Sequence, residues 1–302
     1  MDGILSIVKP IGLTSFAVVA RVRRLTNTKK VGHAGTLDPD ASGVLPVCVG
    51  KATKVIEFLM EKDKAYRVGL MLGKATDTQD ASGEVLYEKP VYASDQEIRE
   101  CIQGFLGNQQ QIPPMYSAVH VGGKRLYELA RQGIEVERQP RPVTFYSINI
   151  LHIERTDNKV TVVFDVCCSK GTYMRTLCHD IGERLGCGGH MTSLLRTGSG
   201  PFLLDDAHTL EELENLKNQQ KLENALIGMD QAILRFPPVY VSVLEAKRLK
   251  NGLELDFTGL TEEFYRVYLK DGCFLAIGKS DEMEGRSVLR TYKWIGNEHI
   301  VL

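Results

Sequence analysis

The sequence predicts an α+β protein made of one large domain and a small C-terminal β-barrel. The chain has 302 residues, which is more than a single hydrophobic core usually holds. Segments that alternate apolar and polar residues, as strands do, are interspersed with segments of helical periodicity. After a break at 235–238, which reads Arg-Phe-Pro-Pro, short strands separated by Gly and Asp turns predominate, as in small barrels.

The first half of the chain mixes strands and helices. In order, we expect a strand over 4–8, a helix beginning at the N-cap residues Thr14 and Ser15, a loop over 31–46, a helix over 52–60 and a strand over 66–72. The loop is expected because three glycines and two prolines interrupt any longer helix or strand there.

The second half continues this mixture. We expect helices over 95–106, 125–132, 173–185 and 210–216, with strands over 143–153 and 159–168. Beyond the break we expect strands over 239–243, 266–269, 273–277 and 288–292, with one short helix that ends at Lys250.

Composition indicates a soluble cytoplasmic protein. Hydrophobic residues make up 43% and charged residues 25% of the chain, which is ordinary for globular domains. The sequence has no run of the roughly 18 apolar residues that a membrane helix needs. Residues 1–9 lack the apolar core of a signal peptide. The seven cysteines are scattered and odd in number, so we expect reduced thiols.

Positive charge is concentrated in two segments. The formal net charge of −1 argues weakly against a nucleic-acid partner, because phosphate contacts need cations. However, residues 1–36 carry six lysines and arginines against Asp2 alone, and residues 120–142 carry five against three glutamates. Two basic patches on a neutral chain are compatible with RNA binding. Solvated surface charge is the alternative interpretation.

Asp38 lies in the Gly- and Pro-rich loop. Pro39 biases Asp38 to an extended backbone, and nearby glycines allow sharp turns and close approach of a ligand. A carboxylate presented by such a loop is suited to act as a nucleophile or a base. From this loop alone, an ordinary Asp-Pro turn is the more frequent explanation.

The sequence gives little support for a phosphate-binding loop or a metal site. Gly278-Lys279-Ser280 lacks the first glycine of a phosphate-binding loop, since position 273 is Cys. Cysteines and histidines do not show the spacing of a zinc site, and Asp77 with Asp80 lacks further oxygen ligands for a cation. We therefore expect neither a cofactor nor a metal.

Several blocks of sequence nevertheless resemble the TruB-type tRNA pseudouridine synthases. The loop over 32–46, Gly-His-Ala-Gly-Thr-Leu-Asp-Pro-Asp-Ala-Ser-Gly-Val-Leu-Pro, is similar to their catalytic motif. Five further blocks match in order, and they lie at 2–15, 64–83, 111–131, 169–175 and 189–197. Six blocks in sequence, covering about residues 2 to 202, make chance resemblance negligible.

The resemblance implies a fold and an activity. It implies a mixed β-sheet core over 1–235 with flanking helices, an RNA-gripping insert at about 112–142, and a PUA-like RNA-binding β-barrel over 236–302. It implies isomerisation of uridine 55 in the T-loop of tRNA, a reaction without redox change or group transfer. The expected partner is the T-arm of tRNA, bound by a monomer.

The resemblance also implies roles for individual residues. Asp38 would attack the sugar C1′ or act as a base, and Arg175, between a strand and a helix, would keep it ionised. His33 would stack where the flipped base had been, unless it only makes a loop hydrogen bond. Tyr66 would stack on the uracil and move a proton, unless it is a core tyrosine. Leu194 would exclude water.

Phosphate contacts are expected from five cations: Lys9, Lys124, Arg125, Arg131 and Arg196. Two other classes of function remain as alternatives. An RNA-binding chaperone that folds tRNA without catalysis could use the same basic patches but has no need of Asp38. A metal-dependent RNA hydrolase would require clustered ligands that the sequence does not show.

Overall fold

The computed structural model describes residues 1–117, 119–156, 159–283 and 285–296. Its strands are β1 (Gly3–Lys9), β2 (Val31–His33), β3 (Ser42–Val49), β4 (Lys64–Leu72), β5 (Lys74–Thr76), β6 (Val85–Glu88), β7 (Gly107–Gln111), β8 (His120–Val121), β9 (Lys124–Arg125), β10 (Arg141–Thr156), β11 (Lys159–Cys168), β12 (Gly189–Ser199), β13 (Phe202–Leu203), β14 (Pro238–Val241), β15 (Leu255–Asp256), β16 (Phe264–Leu269), β17 (Phe274–Met283) and β18 (Arg286–Trp294). Its α-helices are α1 (Ser15–Thr26), α2 (Ile56–Met60), α3 (Asp95–Gln103), α4 (Leu126–Ala130), α5 (Met174–Arg184), α6 (Leu210–Asn218) and α7 (Val243–Lys250).

One mixed sheet organises the large domain. Its strands follow the order β1-β3-β12-β4-β11-β10-β7, with β2 and β13 paired at its side. Most neighbours are antiparallel, whereas β12 runs parallel to β3 where Arg196 lies beside Gly43. The α+β prediction with a mixed sheet is confirmed. This order brings β3, β12 and β4 together although they are far apart in the sequence.

The helices begin where the sequence supplies caps. The Thr14 hydroxyl accepts a hydrogen bond from the backbone N–H of Ala17 and so opens α1, as predicted. Capping boxes at Ser94, Thr209 and Ser242 open α3, α6 and α7. Each cap satisfies backbone donors that the first helical turn leaves unpaired.

Apolar cores pack helices against the main sheet. One core joins strands β4, β11 and β10 to α3 and α5 through buried residues such as Phe164 and Ile181. A second core packs α1 and α6 against β1 and β3 and includes Val22 and Leu213. The two cores hold these helices on the sheet.

Two local expectations were wrong, and one strand was missed. The segment 31–46 is not a continuous loop, because β2 occupies its start and β3 already begins at Ser42. The helix expected over 52–60 begins as a 3₁₀ helix, Gly50–Val55, before α2. The long strand β12 was not anticipated at all. Its alternation is interrupted by register shifts against β4, between Met191 and Ser193 and between Arg196 and Gly198.

The C-terminal region forms a separate five-stranded sheet. Its order is β14-β16-β17-β18-β15, and α7 packs against it. This open, curved arrangement is consistent with the PUA-like fold implied by the resemblance. The sheet contacts the large domain through an aromatic cluster in which the Phe58 ring lies 5.0 Å from that of Phe236 and 5.2 Å from that of Phe264. None of the helices in the described residues is long and apolar enough to cross a membrane.

Candidate active site

An open cleft of about 1030 Å³ lies beside the beginning of β3. Residues 34–41, which connect β2 to β3 and carry the motif that resembles a catalytic one, are called the catalytic loop. Its walls come from this loop, β4, the insert, α5 and β12. The lining includes six of the predicted site residues: Asp38, Tyr66, Arg131, Arg175, Leu194 and Arg196. The fold therefore gathers at one place residues that the sequence separates by more than 150 positions.

The catalytic loop is fixed by contacts from the N-terminal segment. The Ser15 hydroxyl accepts from the backbone N–H of Leu37 at 2.9 Å and donates to the Leu37 carbonyl at 3.1 Å. The backbone N–H of Gly12 donates to the Pro39 carbonyl at 2.9 Å. The loop therefore has a defined position on both sides of Asp38, as preorganised catalysis requires.

Lys9 holds the same loop from beneath. Its ammonium donates to the carbonyls of Leu13 at 2.7 Å and Pro39 at 3.1 Å. Burial lowers the pKa of Lys9, while the carboxylates of Asp38 and Asp40 act in the opposite direction. Lys9 is thus a structural cation beneath the loop.

Arg196 supports the loop from the sheet. Its guanidinium donates from Nε to the Val44 carbonyl at 2.6 Å and from Nη2 to the Gly35 carbonyl at 3.1 Å. In register, Arg196 of β12 stands between Gly43 of β3 and Tyr66 of β4. Gly43 is required at this crossing because its φ is +106° and a Cβ there would lie 2.2 Å from the Arg196 carbonyl oxygen.

These positions correct two predictions. Lys9 and Arg196 were expected to contact RNA phosphates, but they are 0% and 1% exposed. Their donors are occupied by backbone carbonyls, so neither reaches a phosphate on the protein surface. The sequence identified these two residues as cations but did not predict that their side chains are buried. Both follow apolar residues in strands that the fold encloses.

Arg175 forms an ion pair with Asp38, as expected from the sequence. Arg175 Nη2 lies 3.1 Å from Asp38 Oδ2, and Nη1 lies 3.7 Å from Asp80 Oδ2. The Tyr116 carbonyl accepts a further hydrogen bond from Nη2 at 2.8 Å. A buried guanidinium that is held from several directions fixes the orientation of the carboxylate it pairs with.

Asp80 was not assigned to the site from the sequence. Its Oδ1 accepts hydrogen bonds from Thr78 Oγ1 at 2.7 Å and Ser82 Oγ at 2.6 Å, which orient the carboxylate toward Arg175. The signal that could have identified it is its position in the block 64–83, one of the six blocks that resemble the family.

Tyr66 and Leu194 line the cleft on neighbouring strands. Burial raises the pKa of the Tyr66 hydroxyl, and the nearby charge of Arg196 partly offsets this rise. The phenol therefore stays protonated near neutral pH. Leu194 packs against the apolar core behind the cleft, which makes this wall of the site apolar.

Lys64 is a second residue that sequence reasoning missed. Its ammonium is buried in the cleft wall and donates to the Lys62 carbonyl at 2.6 Å. Burial lowers the pKa of Lys64 to about 8, and the nearby charge of Arg196 adds to this effect. A lysine at the start of a strand carries no sequence signal that distinguishes a buried ammonium from an exposed one.

His33 lies at the end of β2, outside the cleft lining. Its ring is partly buried, and Nδ1 has no hydrogen-bond partner among the residues that the structure describes. Burial and the charge of Arg196 both lower the pKa of His33, so the ring is neutral near pH 7. The loop hydrogen bond considered as its alternative role is not formed by this nitrogen.

One cation of the insert reaches the cleft. Arg131 lines the cleft and lies 5.5 Å from the ring centroid of Tyr127. Lys124 is exposed on the hairpin β8–β9. The side chain of Arg125 lies outside what the structure describes. In the described ranges, no group of three or more His, Cys, Asp or Glu side chains is placed to hold a metal ion.

Comparison with known proteins identifies the family. The N-terminal domain model of the TruB family pseudouridylate synthases matches residues 23–174, and the tRNA pseudouridylate synthase B C-terminal domain model matches residues 175–234. The chain is 50% identical over 289 residues to tRNA pseudouridine synthase B of Clostridium perfringens (strain SM101 / Type A), covering 93% of this chain and 96% of that protein. It is 53% identical over 279 residues to the protein of the same name from Alkaliphilus oremlandii (strain OhILAs), covering 92% and 88%.

A solved structure agrees with this relationship. The crystal structure of a Cbf5-Nop10-Gar1 complex contains a chain that superposes with a TM-score of 0.74 at 28% identity, covering 97% of this chain and 85% of that one. Family models and relatives together span the whole cleft, from the catalytic loop to β12. The chain belongs to the TruB family of pseudouridylate synthases.

Proposed function

We propose that this protein is an enzyme that isomerises uridine to pseudouridine in tRNA, at position 55 of the T-loop. The observation that carries the proposal is the ion pair between Asp38 and Arg175 at the floor of an open cleft. Family membership and relatives named tRNA pseudouridine synthase B support the substrate.

The reaction needs an ionised carboxylate beside the nucleotide. The N-glycosidic bond breaks, the uracil turns, and a carbon–carbon bond to C1′ forms in its place. Asp38 serves this reaction either by attack at C1′ or by proton abstraction, and both roles require its anionic form. Arg175 stabilises that form and holds the carboxylate toward the cleft.

Tyr66 and Leu194 define the base-binding part of the cleft. The Tyr66 ring offers a stacking surface for a uracil that has left the RNA stack. Its hydroxyl remains protonated, which suits proton transfer to or from the turning base. The apolar Leu194 wall excludes water, so that the detached uracil is rejoined rather than lost to hydrolysis.

The RNA backbone is positioned by the insert. Lys124, Arg125 and Arg131 supply cations for phosphate contacts, and Arg131 lines the cleft. We assign to His33 the planar group that stacks in place of the flipped base. Its neutral ring suits stacking, and it is the last residue of β2, where the catalytic loop begins.

The same proposal divides the chain into two units. Residues 1–235 form the catalytic domain with its insert at about 112–142, and residues 236–302 form a PUA-like RNA-binding domain. The proposed partner is the T-arm of tRNA, bound by a monomer in the cytoplasm. A monomer suffices because the residues assigned to catalysis all come from one chain. A folding chaperone without catalysis leaves the anionic Asp38 in an RNA-binding cleft unexplained.

The test is site-specific mapping of the modification. A tRNA transcript is incubated with the protein and probed by carbodiimide treatment followed by primer extension. We expect one new stop at position 55, and none in a matched transcript that carries cytidine at that position. A stop elsewhere, or none in either transcript, would contradict the proposal.

A further inference from the structure

The start of α5 is held by a glutamine from another strand. Gln111, the last residue of β7, is 4% exposed. Its Oε1 accepts a hydrogen bond from the backbone N–H of Tyr173 at 2.7 Å, and its Nε2 donates to the Tyr173 carbonyl at 2.9 Å. One side-chain amide thus binds both polar groups of a single backbone residue, which fixes the position and the orientation of that residue.

This pair of hydrogen bonds restrains a helix terminus that lacks an ordinary cap. Tyr173 is the N-cap residue of α5, and within the described ranges its side chain makes no capping hydrogen bond. Residues that cap helices well carry a short side-chain oxygen, as Ser, Thr, Asp and Asn do. Because helix ends fray where they are not held, the restraint that α5 does not provide for itself comes from Gln111.

Arg175 lies in the turn that is restrained in this way. It is the second residue of α5, two positions after Tyr173. On its other side, the Thr176 hydroxyl donates to Gln79 Oε1 at 3.1 Å. The backbone that carries Arg175 is therefore held on both sides, by glutamines from two different parts of the chain. A displacement of this turn would alter the 3.1 Å contact between Arg175 and Asp38.

Gln111 is itself placed by the main sheet. Strand β7 pairs antiparallel with β10, in a register that sets Gln111 opposite Arg141. The insert at about 112–142 begins directly after Gln111, so this pair lies at the root of the insert. Gln111 therefore connects the start of α5 to the sheet, not to the part of the insert that carries the cations.

We propose that Gln111 is a positioning residue for the isomerisation, which acts on Asp38 through the backbone of Tyr173 and the guanidinium of Arg175. The inference rests on the proposed function, since it takes the ion pair of Asp38 and Arg175 to serve that reaction. Gln111 lies outside the lining of the cleft as described. Its loss should therefore slow the chemical step, which is sensitive to small errors of geometry, and leave RNA binding unchanged.

The test separates rate from affinity. Gln111→Met keeps the length of the side chain and removes both hydrogen bonds. Gln109→Met is the matched control, because Gln109 lies two positions earlier on the same face of β7 and bonds to the Gly104 carbonyl at 3.4 Å. Single-turnover rates at saturating enzyme and dissociation constants are measured with a T-arm hairpin. We expect Gln111→Met to slow pseudouridine formation about 10-fold with Kd within about 2-fold, and Gln109→Met to match the unaltered protein.

A double-mutant cycle with Arg175→Lys distinguishes positioning from a general loss of stability. If Gln111 acts through Arg175, adding Gln111→Met to Arg175→Lys should slow the reaction by no more than about 2-fold further. A second full loss in the Arg175→Lys background would overturn the inference. So would a normal rate for Gln111→Met, or a loss of affinity as large as its loss of rate.

Gln111→Glu keeps the inference testable if Gln111→Met does not fold, which urea unfolding would show. Its carboxylate still accepts from the Tyr173 N–H but cannot donate to the Tyr173 carbonyl. We expect a rate about 5-fold lower with unchanged Kd, and again almost no further loss in the Arg175→Lys background. Failure of the proposed function would look different, because the unaltered protein would then form no pseudouridine in the hairpin.

Discussion

Asp38 and Arg175 form an ion pair in which the two partners differ in exposure. The Asp38 side chain is 45% exposed to the cleft, whereas that of Arg175 is 8% exposed. The cation is thus part of the protein interior and the anion is presented to the ligand. Because Arg175 also contacts Asp80 and the Tyr116 carbonyl, its position is fixed before RNA arrives. This arrangement supports a carboxylate that is already oriented in the free enzyme.

Replacing Asp38 by asparagine should separate catalysis from binding. Asp38→Asn keeps the size of the side chain but removes the anion, so we expect pseudouridine formation to fall at least about 10³-fold. The Kd for a T-arm hairpin should stay within about 3-fold, because phosphate contacts come from other residues. Single-turnover assays and a binding titration measure the two quantities.

Asp40→Asn is the matched control. Asp40 also lines the cleft two residues further along the loop, but the described structure shows no ion pair for it within 4.0 Å. It should retain most of its activity. Full turnover by Asp38→Asn would remove Asp38 from the mechanism.

Arg175→Lys should impair the chemical step more than binding. Lysine keeps the charge, but a single ammonium cannot replace the planar fork that contacts Asp38, Asp80 and the Tyr116 carbonyl together. We expect kcat to fall about 10- to 100-fold with a smaller change in KM. Asp80→Asn should lower kcat in the same direction but less, since it removes only the more distant partner. A normal kcat for Arg175→Lys would show that the charge alone is sufficient.

The sequence predicted which residues form the site better than it predicted which of their side chains are buried. Motif blocks identified Asp38, Tyr66, Arg175 and Leu194, and the structure brings all four to one cleft. They could be identified because each block is local. Which side chains are covered depends on the order of strands in the sheet, which no local pattern specifies.

Arg196 illustrates this limit. In the sequence it lies in the block 189–197, and from the resemblance it was expected to contact phosphate. In the fold its strand lies between β3 and β4. Its guanidinium donates hydrogen bonds to carbonyls of the catalytic loop instead of to water. The helices and the C-terminal strands, by contrast, were predicted well. Helix caps and the alternation of apolar and polar residues in strands depend only on residues close together in the sequence.

Gly43→Ala should destabilise the protein far more than Gly12→Ala. Both glycines have positive φ, +106° and +86°. A Cβ at Gly43 would lie 2.2 Å from a backbone oxygen of Arg196, whereas one at Gly12 meets no atom within 4 Å. We expect a loss in the free energy of unfolding of about 3 kcal/mol or more for Gly43→Ala and about 1 kcal/mol for Gly12→Ala. Urea unfolding measures both, and equal losses would show that β3 and β12 separate easily.

Lys64 should make stability depend on pH in the alkaline range. Burial lowers its pKa in the folded protein from 10.5 to about 8. Below pH 8 the ammonium is protonated in both the folded and the unfolded chain, so the cost of burying the charge opposes folding in full. As pH rises from about 8 toward 10.5, the folded chain releases this proton while the unfolded chain keeps it. The contribution of Lys64 to the free energy of unfolding therefore rises with pH.

Lys64→Met removes this titration and isolates it from other groups. The free energy of unfolding of the unaltered protein minus that of Lys64→Met should increase between pH 8 and 10.5 by up to about 3 kcal/mol. Urea unfolding at several pH values gives this difference, in which the titration of tyrosines and cysteines common to both proteins largely cancels. Lys159→Met, at an exposed position, should give a difference that does not change with pH. A flat difference for Lys64→Met as well would mean that its ammonium reaches solvent in the folded protein.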